Sequence, residues 1–491
     1  MLTRLQVSGF KNLVDVDVRF GAFTCIAGAN GVGKSNLFDA IRFLSALADM
    51  PLIEAARSVR DEGEKTTDVR SLFHRVGSYY TDTIKFEAEM IVPKTGVDDL
   101  GQTAEATITY LRYLVELAYR VDTLSPSLGT LEIVREELIR INRSEASKRL
   151  GFPNRPSWQE SAIVGRRQEP SFISTETTSS GRYIKLHQDG KRGRPVARLA
   201  STLPRTVLSA TNAAESPTAL LARREMQSWR LLQLEPSSLR KSDTFTAPTK
   251  LGNDGSHLAA TLYRLGRAEN VQGQAYAQVA GRLSQLINDV RQVSVDRDDR
   301  RELLTALVTS RDGTTHTARA LSDGTLRFLA LAVLEQDPEM SGTLCLEEPE
   351  NGIHPARIPA MVTLLQDIAV DLEMPVSDDN PLRQVIVNTH APLVVQNVPD
   401  DSLVYAELRE TVRDGQHVER AVFSYLSDTW RERAAQDDEK PVTLASKGHL
   451  LNYLRTASVI PSISTPTQSA NSRRVIERSD LQLLLFDPME N

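Results

Sequence analysis

The stretch GANGVGKSN, residues 28–36, sets two glycines five positions apart and follows the second with Lys34 and Ser35. Just before it, AFTCIA (22–27) is an apolar run of the length of a buried strand. Just after it, Leu37, Ile41, Leu44 and Ala48 recur at helical spacing. Strand, glycine loop and helix in that order match the phosphate-binding loop in full, with Gly28, Gly33, Lys34 and Ser35 in its four places. Glycines let backbone N–H groups turn inward around phosphate oxygens, and the helix start adds its positive dipole end. Lys34 neutralises β- and γ-phosphate charge, and the Ser35 hydroxyl ligates Mg²⁺. The loop therefore predicts a nucleoside triphosphate bound with magnesium.

Around this unit the chain alternates strands and helices. VDVDVRF (14–20) puts Val14, Val16, Val18 and Phe20 on one face and Asp15, Asp17 and Arg19 on the other, a half-buried strand. Residues 84–92 alternate through Ile84, Phe86, Ala88 and Met90, and residues 106–120 and 131–142 also read as strands. Residues 182–198 read as a hairpin around Asp189-Gly190. Residues 255–267 and 275–291 read as helices, with Leu258, Leu262 and Leu265 on one stripe. TLCLE (343–347) and QVIVN (384–388) are short buried strands with a helix near 357–370 between them. That alternation predicts an α/β fold with a mostly parallel sheet covered by helices. Residues 458–479, rich in Ser, Thr, Pro and Arg, read as a flexible linker before the apolar run LQLLLF at 481–486.

The 491 residues are enough for two to four structural units, and 40% hydrophobic with 25% charged residues is an ordinary globular balance. A net charge of −6 excludes a globally basic nucleic-acid binder, so any such surface must be local. One candidate exists. Arg182, Lys185, Lys191, Arg192, Arg194, Arg198 and Arg205 face a single acid, Asp189, between 182 and 205. Lys191, Arg192 and Arg194 at the hairpin are a candidate contact to the DNA backbone, with a solvated loop or an acidic protein partner as the alternatives. The two cysteines, Cys25 and Cys345, each sit in an apolar run and read as buried small hydrophobes, which suits a reducing compartment. With no charged-then-apolar leader and no run of 18 apolar residues, a cytoplasmic location without a membrane partner is expected.

Three further stretches carry candidate chemistry. TLCLEEPE (343–350) ends an apolar strand in two carboxylates, and strand ends of such sheets face the ligand crevice. Glu347 is a candidate Mg²⁺ ligand, directly or through water, and Glu348 a candidate for orienting the attacking water. Adjacent strand residues point to opposite faces, so the two need not share a role. LSDGTLR (321–327) reads as a helix start with Ser322 or Asp323 as cap. VIVNTH (385–390) is a buried strand ending in His390, a candidate γ-phosphate sensor.

In this order the four pieces resemble the ATP-binding-cassette ATPases of the RecF/SMC class. LTRLQVSGFKNL with GANGVGKSNLFDAI is similar to the start of RecF-like heads, LSDGTLRFLAL to the signature motif, EEPENGIHP to the Walker B and D-loop, and VIVNTHAPLVV to the switch-histidine strand. GNDGSHLAATLYRL (252–265) is similar to a segment of RecF-like ATPases of bacterial defence operons. The resemblance covers 1–95 and 230–410 well, and 100–230 and 430–491 poorly. It implies an ABC-type ATPase head, with mixed and parallel sheets and flanking helices, an inserted α+β arm subdomain and a C-terminal tail. The implied organisation is an N-terminal lobe (1–100), a β-rich basic insert (101–230), a helical arm (231–312), a C-terminal lobe (313–430), a helix (431–457) and a linker with an apolar tail (458–491).

Carried over by motif, Gly28, Asn30, Gly31, Gly33, Lys34 and Ser35 bind ATP, Glu347 is the Walker B acid beside Mg²⁺, and Glu348 is the catalytic base. Ser322, Asp323 and Gly324 reach the γ-phosphate on a partner head, Asn351 belongs to the D-loop, and His390 is the switch. Two departures stand out: a Glu replaces the usual Walker B Asp, and no Q-loop glutamine appears near 70–85, where SLFHRVG stands. The implied mechanism is a homodimer or higher assembly in which ATP joins two heads and hydrolysis releases them. The implied function is an ATP-switched, DNA-associated sensor or scaffold in antiviral defence. The alternatives are a repair or recombination ATPase and an ATP-binding scaffold with little turnover. A transporter motor fits poorly, because about 290 positions separate Lys34 from Ser322. Eight histidines make no HNH-like cluster, so a nuclease effector would be a separate chain. Gln482, Leu483, Leu485 and Phe486 resemble the short peptide by which bacterial proteins dock on the sliding clamp. The competing reading packs this run on the chain's own Leu450, Leu451 and Leu454 or on a partner subunit.

Overall fold

The computed structural model describes residues 1–59, 68–121, 129–165, 171–189, 194–267, 273–413, 416–435, 443–455 and 473–481. Its organising strand is Phe23–Ala27, in which every residue is buried. An apolar run this short has no polar face to offer water, so it must lie inside a sheet covered on both sides. It lies in a six-stranded sheet of order Arg230–Leu232, Gly342–Glu347, Arg383–Thr389, Phe23–Ala27, Leu403–Arg413, Gln416–Tyr425. All neighbours pair in parallel except the last two strands, which form an antiparallel hairpin.

Side-chain alternation divides this sheet between two cores. Ile26, Cys345 and Ile386 face one core, together with Leu37, Ile41 and Leu44 of the helix Lys34–Leu47 and the inner face of a second sheet. Phe23, Cys25, Ala27, Leu344, Leu346, Val385 and Val387 face the other, beneath the helices Asp323–Glu335 and Ile358–Ile368. Each such aliphatic side chain contributes about 1.5–3 kcal/mol by leaving water. Cys25 and Cys345 are both buried and free, and they project from opposite faces of the sheet.

The second sheet is antiparallel and eight-stranded: Val196–Leu199, Gly181–Leu186, Ser171–Thr178, Thr130–Arg140, Tyr110–Arg120, Thr83–Ile91, Leu2–Ser8, Val16–Arg19. The strands expected at 84–92, 106–120 and 131–142 are Thr83–Ile91, Tyr110–Arg120 and Thr130–Arg140 in it, and Gly181–Leu186 pairs with Val196–Leu199 as the 182–198 hairpin predicts, although its expected turn at Gly190 lies outside the described residues. The segment 101–230 therefore continues the sheet begun by the N-terminal strands. Buried Gln384 ties the two sheets together. Its amide accepts the Leu2 N–H at 3.0 Å and donates to the carbonyls of Leu2 at 2.6 Å and Gly21 at 2.8 Å.

Four expectations change. The strand at 14–20 narrows to Val16–Arg19, and Arg19 on its polar face is buried, donating to the Arg149 carbonyl at 2.9 Å. The helix expected over 275–291 is Gln274–Leu286, and Val290–Asp298 is a strand, so Asp296 and Asp298 belong to a sheet. The segment expected as a helical arm, 231–312, thus carries an antiparallel sheet of Asp243–Thr244, Leu303–Ser310 and Val290–Asp298 under the helices Leu258–Gly266 and Gln274–Leu286. The β-branched Val290, Val293, Val295 and Val308 outweigh a helical reading there. Residues 473–479, expected as linker, are docked: Arg478 is buried and pairs with Asp400 at 3.3 Å, and Val475 donates its N–H to the Val398 carbonyl at 3.1 Å. The rest of the expected linker lies outside the described residues.

One buried acid makes the fold pH-sensitive. Glu136, fully buried in the strand Thr130–Arg140, accepts the N–H groups of Val207 and Leu208 at 2.8 Å each and the Tyr113 hydroxyl at 3.2 Å. Burial pushes its pKa from 4.5 up to about 7. An acid raised in the folded state stabilises fully below its unfolded pKa and loses that contribution as pH rises to the folded one. At about 1.4 kcal/mol per pH unit, the loss is about 3 kcal/mol. Denaturant unfolding should show stability falling between pH 4.5 and 7, and Glu136→Gln should remove most of that fall. An identical pH slope in the variant would show that Glu136 is not its source.

Candidate functional site

The parallel registers bring the expected site residues to one edge. Ala27 pairs with Thr389, Glu347 with Asn388, and Leu232 with Leu346. The residues just beyond these strand ends therefore share the carboxyl edge of the sheet: the glycine loop, Glu348, His390 and Gln233. This is the crevice where open parallel sheets bind ligands.

The glycine loop has the backbone its sequence requires. Gly33 caps the helix Lys34–Leu47 at φ 100°, and a Cβ there would meet the Asn12 side chain at 2.6 Å. A Cβ on Gly28 would lie 2.3 Å from the Ala406 carbonyl oxygen, so only glycine lets the loop pass over the neighbouring strand. The first helical turn holds no acid, which leaves its positive end available to an anion. Asn30, Gly31 and Ser35 are exposed at the rim. Lys34 is buried, and its ammonium donates to the carbonyls of Gly28 and Ala29 at 2.7 Å each. Burial lowers its pKa, while Glu348 and Glu350 push the other way.

Opposite the loop lies a cleft of about 340 Å³ lined by Ser35, Gln233, Arg327, Glu347, Glu348, Asn351 and Asn388, among others. Glu347 and Glu348 both line it, although neighbours in a strand face opposite ways. The reason is local: Glu348 has left the strand at φ 45°, a left-handed conformation costly for a residue with a Cβ. The kink lets Glu348 line the same cleft as Glu347. His390 Nδ1 lies 2.6 Å from one Glu348 oxygen, and Asn351 donates to the other at 2.8 Å. Glu347 accepts from Gln233 at 2.6 Å. Ser35 and Glu347 together offer hard oxygen donors, a set that suits Mg²⁺ completed by phosphate and water.

The signature-like segment lies at the start of its helix. Ser322 caps Asp323–Glu335, accepting the Thr325 N–H at 3.3 Å, and Asp323 pairs with Arg240. Ser322 and Asp323 are exposed, while Gly324 is buried. A Cβ on Gly324 would lie 2.2 Å from the Gly352 carbonyl oxygen, so this glycine packs the helix start against the turn that follows Glu348. Arg327 reinforces the same contact, donating to the carbonyls of Leu234, at 3.0 Å, and Asn351.

Gln233, Asn388 and Arg327 escaped the sequence reading. Gln233 follows a strand of only three residues, Arg230–Leu232, too short to show periodicity. Residues 70–85, which carry no Q-loop glutamine, form the end of a 3-10 turn, a small hairpin at Arg75–Tyr80 and the start of the strand Thr83–Ile91. Of the basic candidates, Arg194 and Arg198 are exposed and Lys185 pairs with Glu176, whereas Lys191 and Arg192 lie outside the described residues. Gln482, Leu483, Leu485 and Phe486 also lie outside them. Leu481, just before, is buried in the core that holds Leu450, Leu451 and Leu454. Among the described residues, no helix is long and apolar enough to cross a membrane.

Residues 23–396 match a family model described as "AAA domain, putative AbiEii toxin, Type IV TA system". The chain is similar to the DNA replication and repair protein RecF of Bacteroides thetaiotaomicron, at 46% identity over 46 residues, 9% of this chain and 12% of that protein. It is also similar to RecF of Phocaeicola vulgatus, at 34% over 65 residues, 13% of this chain and 18% of that one. The matched segments thus span under a fifth of these relatives. Among solved structures, an SMC head bound to the C-winged helix domain of ScpA aligns with 87% of this chain and 98% of its own at 14% identity and a TM-score of 0.44. The SMC head domain from Thermotoga maritima aligns with 87% and 99% at 12% identity and a TM-score of 0.36. With the family model covering more than half of the chain, from the glycine-loop strand to beyond His390, the protein belongs to this AAA-domain family.

Proposed function

We propose that the protein binds ATP with Mg²⁺ in the glycine-loop cleft and hydrolyses it between two heads, switching a DNA-associated assembly. The observation that carries the catalytic part is the Glu348 carboxylate, held by His390 and Asn351 in the cleft that Ser35 and Glu347 also line. Glycine-loop N–H groups and Lys34 take the phosphates, Lys34 exchanging its loop carbonyls for phosphate oxygens. Ser35 and Glu347 hold Mg²⁺, which neutralises phosphate charge, and Gln233 orients Glu347. Glu348 accepts the proton of the attacking water, and His390 orients Glu348 and senses the γ-phosphate. Ser322 and Asp323, exposed at the helix start, face ATP on a second head, Asp323 giving up its Arg240 partner to do so, while Gly324 serves packing within its own chain.

An antiviral role with a separate nuclease chain fits the resemblance to defence ATPases. The RecF relatives, named for DNA replication and repair, keep repair as the alternative. DNA contact is assigned to the edge hairpin, where Arg194 and Arg198 are exposed. A scaffold with little turnover is the remaining reading, and the catalytic variants decide it.

Glu348→Gln should retain ATP but lower kcat by about 100-fold or more, by removing the base while keeping the shape. It should also accumulate an ATP-bound dimer in sedimentation. Lys34→Ala should abolish ATP binding in a fluorescent-nucleotide titration. Hydrolysis at the wild-type rate in Glu348→Gln would assign the base elsewhere.

Gly324→Ala should cost about 1–3 kcal/mol in denaturant unfolding, because the methyl group has no room beside Gly352. A variant as stable as wild type would mean that the two turns separate at no cost. Reversing Arg194 and Arg198 to Glu should weaken DNA binding and lower its salt slope by about 2. Binding that is unchanged across a salt titration would move the DNA surface away from this hairpin.

A further inference from the structure

We propose that Glu350 is a positioning residue that holds His390 in place against Glu348. The inference rests on the ATPase reading for its kinetic consequence only. Glu350 lies two residues beyond Glu348 in the same turn and is 6% exposed. The Thr389 hydroxyl donates to one of its carboxyl oxygens. That same hydroxyl accepts the N–H of Ala391 at 2.9 Å. Thr389, which precedes His390, thus carries the Glu350 carboxyl on its hydroxyl and holds Ala391, which follows His390, through the same oxygen. Glu350 is itself anchored, since its carbonyl accepts the Ile353 N–H at 2.9 Å.

The geometry is a closed loop of contacts. Glu348 meets the imidazole at 2.6 Å from one end of the turn, and Glu350 holds the hydroxyl of the preceding residue, Thr389, from the other. These bonds join the turn to the end of the strand Arg383–Thr389. The second carboxyl oxygen of Glu350 is buried without a hydrogen-bond partner, although buried polar atoms are ordinarily satisfied. An apolar side chain would fill this place without that penalty. A carboxyl group here is explained by what its bonded oxygen does, which is to orient Thr389.

The test uses the full chain with ¹⁵N-labelled histidine. The His390 imidazole signal is the one missing from His390→Gln. Glu350→Ala and the near-isosteric Thr389→Val should each move that signal to the position it takes in Glu348→Gln, where the carboxylate contact is lost. Thr389→Ser, which keeps the hydroxyl, should leave it at the wild-type position. A signal unmoved by Thr389→Val and Glu350→Ala would overturn the proposal. In steady-state assays Glu350→Ala should lower kcat about ten-fold with ATP affinity unchanged, the mark of a misplaced group rather than lost binding. It should cause no further fall in a His390→Ala background. A full further loss in that background would place the effect elsewhere, for example at Lys34, and overturn the proposal. A wild-type protein that does not turn over ATP would instead sink the ATPase reading, and the histidine signal would still decide the positioning.

Discussion

The parallel pairing of Phe23–Ala27 with Arg383–Thr389 is the constraint on which the rest of the structure depends. The strands are some 360 residues apart in sequence, and their register sets Ala27 against Thr389. Shifting it by one residue would turn Cys25 and Ile26 to the wrong cores and draw the glycine loop away from His390. Because both faces of this sheet are packed with aliphatic side chains, slippage carries a large apolar penalty. The precision of the site is thus inherited from two hydrophobic cores that contain none of its chemistry.

Charge is arranged around that edge in opposition. The helix behind the loop begins without an acidic residue in its first turn and with a buried lysine held by loop carbonyls. Across the cleft stand Glu347 and Glu348, each satisfied by an amide or imidazole partner. A positive wall and a negative wall on one cleft are what a polyphosphate with a divalent cation requires, since either alone would repel one component. Glu350 lies below, and burial raises its pKa.

The helix that begins at Asp323 is tied to the site within its own chain. Gly324 packs on Gly352, and Arg327 reaches the carbonyls of Leu234 and Asn351. Leu234 neighbours Gln233, and Asn351 contacts Glu348, so hydrogen bonds link both cleft residues to the helix start. Packed contacts of this kind tend to shift between discrete arrangements rather than deform smoothly.

The glycine loop, its helix and the three strands that end at Ala27, Glu347 and Thr389 were legible in the sequence, because each is specified by local pattern. Apolar runs mark doubly covered strands, and the loop's glycines mark a backbone no other residue adopts. Gln233 was not legible, since its strand is three residues long and acquires meaning only by pairing with Leu344–Leu346. Nor was the sheet within 231–312, where apolar residues in short runs satisfy helix and strand alike until neighbours arrive. The alternation rule set Glu347 and Glu348 on opposite faces, whereas with Glu348 in a left-handed turn both line one cleft. The bracket of Glu350 and Thr389 around His390 joins residues 39 positions apart. The sequence by itself determined which groups could bind a nucleoside triphosphate, because composition and spacing carry that chemistry. Only the tertiary structure decided which groups stand within hydrogen-bonding distance of one another, because those distances are set by sheet register and core packing.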